Sequence, residues 1–267
     1  MNERTDRIAG MLFGLAAGDK IGGPVRMALR VADSLLACGT FDVRDVGLRY
    51  LDWWRDGAFD TGPTAAAVLE MVDAGRSFDD AATVVDQRLG GKTAGCNPAH
   101  RSVAIAACSS VSDSDLDEAA NAEARLTHKH PLSGDVAAAV VRLCRSLING
   151  LSWQDSLSFA ATGRQLETVR ALDVTSTAAI SADGFAPNVL RAAVHFVNSS
   201  ESFHSALVRS VEFAGLANYC PVLVGSIAGA RWGRSCIGDD VLRHQANLLA
   251  QLERTSVSLA ETWTTKR

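Results

Sequence analysis

The sequence predicts an all-α fold, and three observations carry that prediction. Apolar residues recur at three-and-four spacing through nearly the whole chain. Alternating, β-branched stretches are hard to find. Glycines at 39, 57, 75, 90, 91, 150 and 184 fall just after or between the periodic segments, where helices stop. The 267 residues contain no Pro/Ser/Gly-rich linker and no low-complexity tract, so a single domain over 1–267 is expected.

Taken in order, the periodicity places helices over 6–18, 25–37, 42–55, 63–74, 78–88, 99–108, 114–124, 133–149, 152–160, 187–197, 201–213, 220–231 and 239–252. Ser77, Ser152 and Ser200 stand where N-caps are wanted, before Phe78, Trp153 and Glu201. The first helix carries Gly10, Gly14 and Gly18 at four-residue spacing, and the stretch from Pro221 repeats that spacing with Gly225, Gly229 and Gly233. Glycine costs a helix interior about 1 kcal/mol relative to alanine, so two such stripes need a compensating contact. Close crossing of these two helices at the centre of the domain supplies it. Beyond Asp239 the chain reads as one amphipathic helix and a polar end, whose mixed face suits a partner or a second copy; the oligomeric state is left open.

With 26 basic and 30 acidic residues and no concentrated Lys/Arg block, neither a nucleic acid nor a membrane surface is indicated as partner. Small molecules or proteins remain. The six cysteines (Cys38, Cys96, Cys108, Cys144, Cys220, Cys236) lack CxxC spacing and read as buried free thiols in a reducing cytoplasm. Charges of both signs precede Ile8 with no small-residue cleavage site after an apolar core, and the apolar runs 8–17 and 221–230 are too short to cross a bilayer. A cytoplasmic protein is expected.

Four loops hold polar residues without periodic reason: 18–24 with Asp19, 59–64 with Asp60 and Thr61, 93–101 with Cys96, Asn97 and His100, and 126–131 with His128 and His130. Asp60 reads either as a functional carboxylate at a helix start or as a cap for the helix at Pro63. Asp19 sits at a helix C-terminus, unfavourable for a carboxylate unless a function, a cation or a turn justifies it. His128 and His130 have a spacing that could hold a metal, with no third ligand at a telling interval. Cys96 and His100, four apart near a helix start, suit a thiolate and its partner.

The four loops, their order and the two glycine helices together resemble the ADP-ribosylglycohydrolases, including the dinitrogenase-reductase-activating type. Residues 7–24 are similar to the family's first motif, G-x3-G-x3-GD-x-x-G-x-P. Phe59-Asp-Thr-Gly62 falls on its Thr-Asp-Asp-Thr, 94–101 on its Gly-Asn-Gly-x-x-Met-Arg loop, 126–131 on its Thr-His segment, and 215–233 on its Gly-Asp-x-Asp-Thr and Gly-rich helix. The resemblance spans about residues 6 to 233. It implies a single-domain orthogonal helical bundle with two magnesium ions in a cleft, cleaving the bond from a ribose C1 to nitrogen or oxygen.

Departures from that pattern fall on the expected metal ligands. A usual glutamate is Arg26; the second motif keeps Asp60 but has Thr61 and Gly62; the last has Leu216, Asn218 and Tyr219; the asparagine of the third is displaced to Asn97, with Cys96 in its place. Asp60, with Asp19 and Asn218, remains as oxygen donor, and the cofactor is left open. Three readings follow. The chain is a diverged hydrolase of a ribosyl or related glycosidic bond without an intact dinuclear magnesium centre, using Asp60, with His100, His128 or Asn97 orienting substrate. Alternatively it is an inactive relative that binds ADP-ribose, a nucleotide or an ADP-ribosylated protein. In the third it is a repurposed enzyme in which Cys96 beside His100, or Asp60, acts on another small molecule. Asp19, Arg26, Thr61, Asn97, His128, Asn218 and Tyr219 are the candidate substrate-binding residues.

Overall fold

The computed structural model describes residues 2–263. Its α-helices are α1 (Glu3–Gly18), α2 (Gly23–Cys38), α3 (Val43–Arg55), α4 (Pro63–Asp73), α5 (Phe78–Arg88), α6 (Asn97–Arg101), α7 (Val103–Ala107), α8 (Leu116–Arg125), α9 (Pro131–Ile148), α10 (Trp153–Ala161), α11 (Leu166–Leu172), α12 (Ala186–Asn198), α13 (Phe203–Ala214), α14 (Cys220–Trp232) and α15 (Leu249–Glu261). No strand forms among the described residues beyond one antiparallel bridge between Gly95 and Phe185.

The α1–α14 crossing is the most extensive helix contact in the molecule. Its closeness has a steric cause. A Cβ at Gly14 would lie inside the Gly225 carbonyl, one at Gly10 inside the Gly229 carbonyl, and one at Gly18 inside the Pro221 carbonyl. Backbone therefore rests on backbone, and only glycine allows it. Gly233, the last of the stripe, ends α14 at φ +86, with its backbone against Gly10 and the Asp6 carboxylate against it. Around this crossing one apolar cluster runs from Ile8 to Ala260, and a smaller one joins α3, α4 and α5 through Leu51, Val68 and Val85. α9 is buried along almost its whole length.

Several expected boundaries moved. The segment expected as one helix over 99–108 is α6 and α7, divided at Ser102, whose hydroxyl donates to the Pro98 carbonyl at 2.6 Å. Residues 239–248 form 3-10 turns, and the regular helix α15 begins only at Leu249. α11 has no counterpart among the expected elements. Ser77 and Ser152 cap as expected, but α13 is capped by Ser202 rather than Ser200. Cys96, Cys108, Cys144 and Cys220 are buried and free as expected, whereas Cys38 and Cys236 are exposed. No helix among the described residues is long and apolar enough to cross a membrane. The expected polar end falls at residues 264–267, outside the described residues.

Candidate active-site cleft

Asp19 ends α1 but serves α2. The α2 N-cap is Gly22, which has no side chain to offer, and the fully buried Asp19 carboxylate takes its place. Asp19 Oδ1 accepts from Ile21 N at 3.2 Å and Gly22 N at 2.8 Å, and Oδ2 accepts from Val25 N at 2.9 Å. A negative charge at this positive helix end is favourable, which removes the difficulty of a carboxylate after α1. The Asp19 carbonyl is held by Gln245 Nε2 at 2.8 Å and by the His244 ring at 3.0 Å.

Asn218 joins this carboxylate to a second one. Its Nδ2 donates to Asp19 Oδ1 at 2.8 Å and to Asp60 Oδ2 at 3.0 Å, while its Oδ1 accepts from Lys20 N at 3.0 Å. The Lys20 ammonium donates to the carbonyls of Gly215 (2.6 Å) and Ala217 (3.2 Å), pinning the loop that carries Asn218 to the end of α1. Asp60 is half-buried at φ +52, the one non-glycine residue with positive φ among those described. It is not the cap of α4, which begins after Gly62. Burial, and next the Asp19 charge, raise its carboxyl above the usual carboxylate range, against the lowering pull of Asn218 and the Gly23 amide.

Beside this pair lies a cleft of about 160 Å³ lined by residues that include Gly95, Cys96, Asn97, His128, Gly184 and Tyr219. Asn218 immediately precedes the lining residue Tyr219, and Asp60 lies two residues before the lining residue Gly62. Asn97 Nδ2 donates to the Thr61 carbonyl at 2.8 Å, so the buried Thr61 acts through its backbone by placing Asn97. The Ser133 hydroxyl, in the first turn of α9, contacts the carbonyls of Thr93 and Gly95 at 2.9 and 2.8 Å and fixes the loop that carries Cys96 and Asn97. Cys96 N donates to the Gly184 carbonyl and Ala186 N to the Ala94 carbonyl, so residues 184–186 close the far wall.

His128 is held in place from behind. Arg101 Nη2 donates to Thr127 Oγ1 at 2.8 Å, and the same oxygen hydrogen-bonds His128 Nδ1 at 2.7 Å. His128 Nε2 is the ring atom nearest Gly95 on the cleft wall. Burial pushes the His128 pKa down to about 3, so the ring is a neutral N–H donor. Arg101 in turn pairs with Glu123 at 2.5 Å, and Tyr50 donates to the same Glu123 oxygen at 2.7 Å.

Other expectations need correction. His130 caps α9 by accepting from Leu132 N at 3.2 Å and does not converge with His128 on a metal. Cys96 is buried, burial drives its thiol well above the ordinary range, and no base hydrogen-bonds to it among the described residues. His100 is also buried, and burial pushes its pKa down to about 3 against the opposing pull of the Tyr219 backbone. The thiolate–imidazole pair therefore does not form. Arg26 stands outside the cleft lining; it donates to the Gly22 carbonyl at 2.9 Å and lies over the Phe59 ring at 4.8 Å. It makes no ion pair among the described residues.

Sequence reasoning missed the groove that continues from the cleft past Gly95 and Gly184. It encloses about 370 Å³ and is lined also by Lys92, Ala94, His130 and Phe185. Residues 173–185 carry no helical period, so the only signal there was Gly184, read as a helix stop.

No group of three or more His, Cys, Asp or Glu able to hold a metal exists among the described residues. Two hard-cation sites need many oxygen donors. Here the Asp19 carboxylate is occupied by backbone amides and Asn218 presents hydrogens, so the donor set does not fit a dinuclear magnesium centre.

Residues 25–267 match the sequence model of the ADP-ribosylglycohydrolase family. The ADP-ribosyl-[dinitrogen reductase] glycohydrolase of Rhodospirillum rubrum is 24% identical over 263 residues, covering 85% of this chain and 86% of that protein. A solved structure described as an ADP-ribosylglycohydrolase-related protein complex shares the backbone fold with a TM-score of 0.80, over 98% of this chain and 99% of its own, at 24% identity.

Proposed function

The chain belongs to the ADP-ribosylglycohydrolase family, and from that premise we propose that it is a single-domain hydrolase of a ribosyl N- or O-glycosidic bond, working without a dinuclear magnesium centre. The observation that carries this reading is Asp60, a half-buried carboxylate two residues before Gly62 of the cleft lining, held in a left-handed backbone conformation and oriented by Asn218. Its raised pKa makes it a stronger base than an ordinary aspartate. A water placed against Asp60 gives up a proton to the carboxylate as its oxygen bonds to the ribose C1. The bond from C1 to the nitrogen or oxygen of the acceptor breaks, the acceptor takes up a proton from solvent as it leaves, and Asp60 returns its own to solvent, so one water is consumed. Neutral His128 and the Asn97 side chain orient the ribosyl group, with the Tyr219 ring as the apolar wall. The substrate is a small molecule or a ribosylated protein; neither a nucleic acid nor a membrane is part of this reading.

The test is product analysis with ADP-ribosylated arginine and serine acceptors, in chelator and in magnesium. Release of ADP-ribose in chelator that Asp60→Asn reduces at least about a hundredfold supports the reading. One observation favours the second reading, a binder without turnover: the Asp19 carboxylate is fully engaged, leaving one available carboxylate where acid–base chemistry commonly uses two. Calorimetric binding of ADP-ribose with no product would establish it. Absence of both binding and product removes both readings.

A further inference from the structure

We infer that the Asn218 carboxamide is a built-in substitute for a cation, and that the single change Asn218→Asp would give this chain a divalent-cation site. Two carboxylates that converge in a protein interior repel one another and need something positive between them. Here that element is covalent. Both Asn218 donor hydrogens are used, one on Asp19 Oδ1 and one on Asp60 Oδ2. The orientation of the amide is fixed by partners that cannot reverse roles: Lys20 N is only a donor and must face Asn218 Oδ1, while the two carboxylates are the acceptors facing Nδ2.

The arrangement is anchored on every side. Asp19 is fixed by the first turn of α2, and the Asn218 loop by Lys20. Gly23 packs so tightly on the Asp60 carbonyl that a Cβ there would overlap it. A magnesium ion would have to displace the amide hydrogens and would find few oxygens in return. Exchanging the amide for a carboxylate reverses this. Both donors are lost, a third anionic group faces Asp19 and Asp60, and the cluster then favours a hard cation bound by carboxylate oxygens.

The inference rests on the metal-free part of the function proposed above and not on hydrolysis. Its test therefore reads cation binding and melting temperature of the full chain. Wild type is expected to melt at the same temperature in chelator and in millimolar magnesium or manganese. Asn218→Asp is expected to melt lower in chelator and to recover by roughly 3 °C or more at saturating cation. The double variant Asn218→Asp, Asp60→Asn should lose that recovery. Titration calorimetry with magnesium or manganese alone should show heat for Asn218→Asp and none for wild type.

Cation binding by wild type that Asp60→Asn abolishes would overturn the inference. So would an Asn218→Asp protein indifferent to both cations, or one that stays unfolded with and without them. An Asn218→Asp chain that folds only with cation present supports it. Failure of hydrolysis leaves these readouts intact, and a wild type that both hydrolyses and binds magnesium in this way removes the inference and the metal-free part of the proposed function while hydrolysis stands.

Discussion

Arg101 and Glu123 form an ion pair at 2.5 Å with both side chains sealed from solvent, and each keeps one polar atom without a partner, Nη1 and Oε2. Removing one member of a buried pair costs about 3–5 kcal/mol, because the other is left charged and alone. The two single changes should differ. Burial already raises the Glu123 pKa, so Glu123 can take a proton when Arg101→Met removes its partner. Arginine cannot lose its charge. Urea denaturation should place Glu123→Leu below Arg101→Met in stability, with the double variant above Glu123→Leu.

Gly14→Ala should be among the most damaging methyl additions available to this chain. The new Cβ meets the Gly225 carbonyl, which is backbone and cannot rotate away. A loss of about 3 kcal/mol or more is expected. Gly39→Ala, with φ +69 but open space around it, should lose only about 1 kcal/mol. Chemical denaturation of the two variants side by side gives the comparison.

Asp60 should cost the fold stability at neutral pH. Its folded pKa lies above 3.8, so the folded protein holds that proton more tightly than the unfolded chain does. Its favourable contribution is complete below the unfolded value and is lost as pH rises through the raised one. Asp60→Asn is expected to melt higher than wild type at pH 7 while losing activity, with the gap closing as pH falls to about 4. Melting curves across that range check the sign.

Alkylation of the native protein should label Cys38 and Cys236 and spare Cys96. The first two are exposed, and the Cys96 thiol is buried with its pKa driven up. Cys96→Ser should accordingly keep most of any turnover. Mass spectrometry of the labelled protein and a rate measurement on the variant check both points.

The sequence made the scaffold readable where a local rule had a visible mark. Four-residue glycine spacing announced the α1–α14 crossing, and Ser77 and Ser152 announced their helices. α11 left no such mark, because seven residues hold too few repeats to show a period. The cleft was legible in its residues but not in their directions. Asp19 and Asn218 are 199 positions apart, and no spacing shows that one carboxylate turns forward to α2 while the amide bridges back to it. Cys96 and His100 had suitable spacing, and burial overruled it.

The crossing that centres the fold also sets the moment at which the cleft can exist. Asp19 follows α1 directly and Asn218 precedes α14 by two residues, so the two reach bonding distance only when those helices dock. During synthesis α1 emerges before α14 and has no glycine-matched partner until α14 has left the ribosome about two hundred residues later. Until then its buried face must be sheltered by other means, and no nascent chain short of α14 carries the bridged pair.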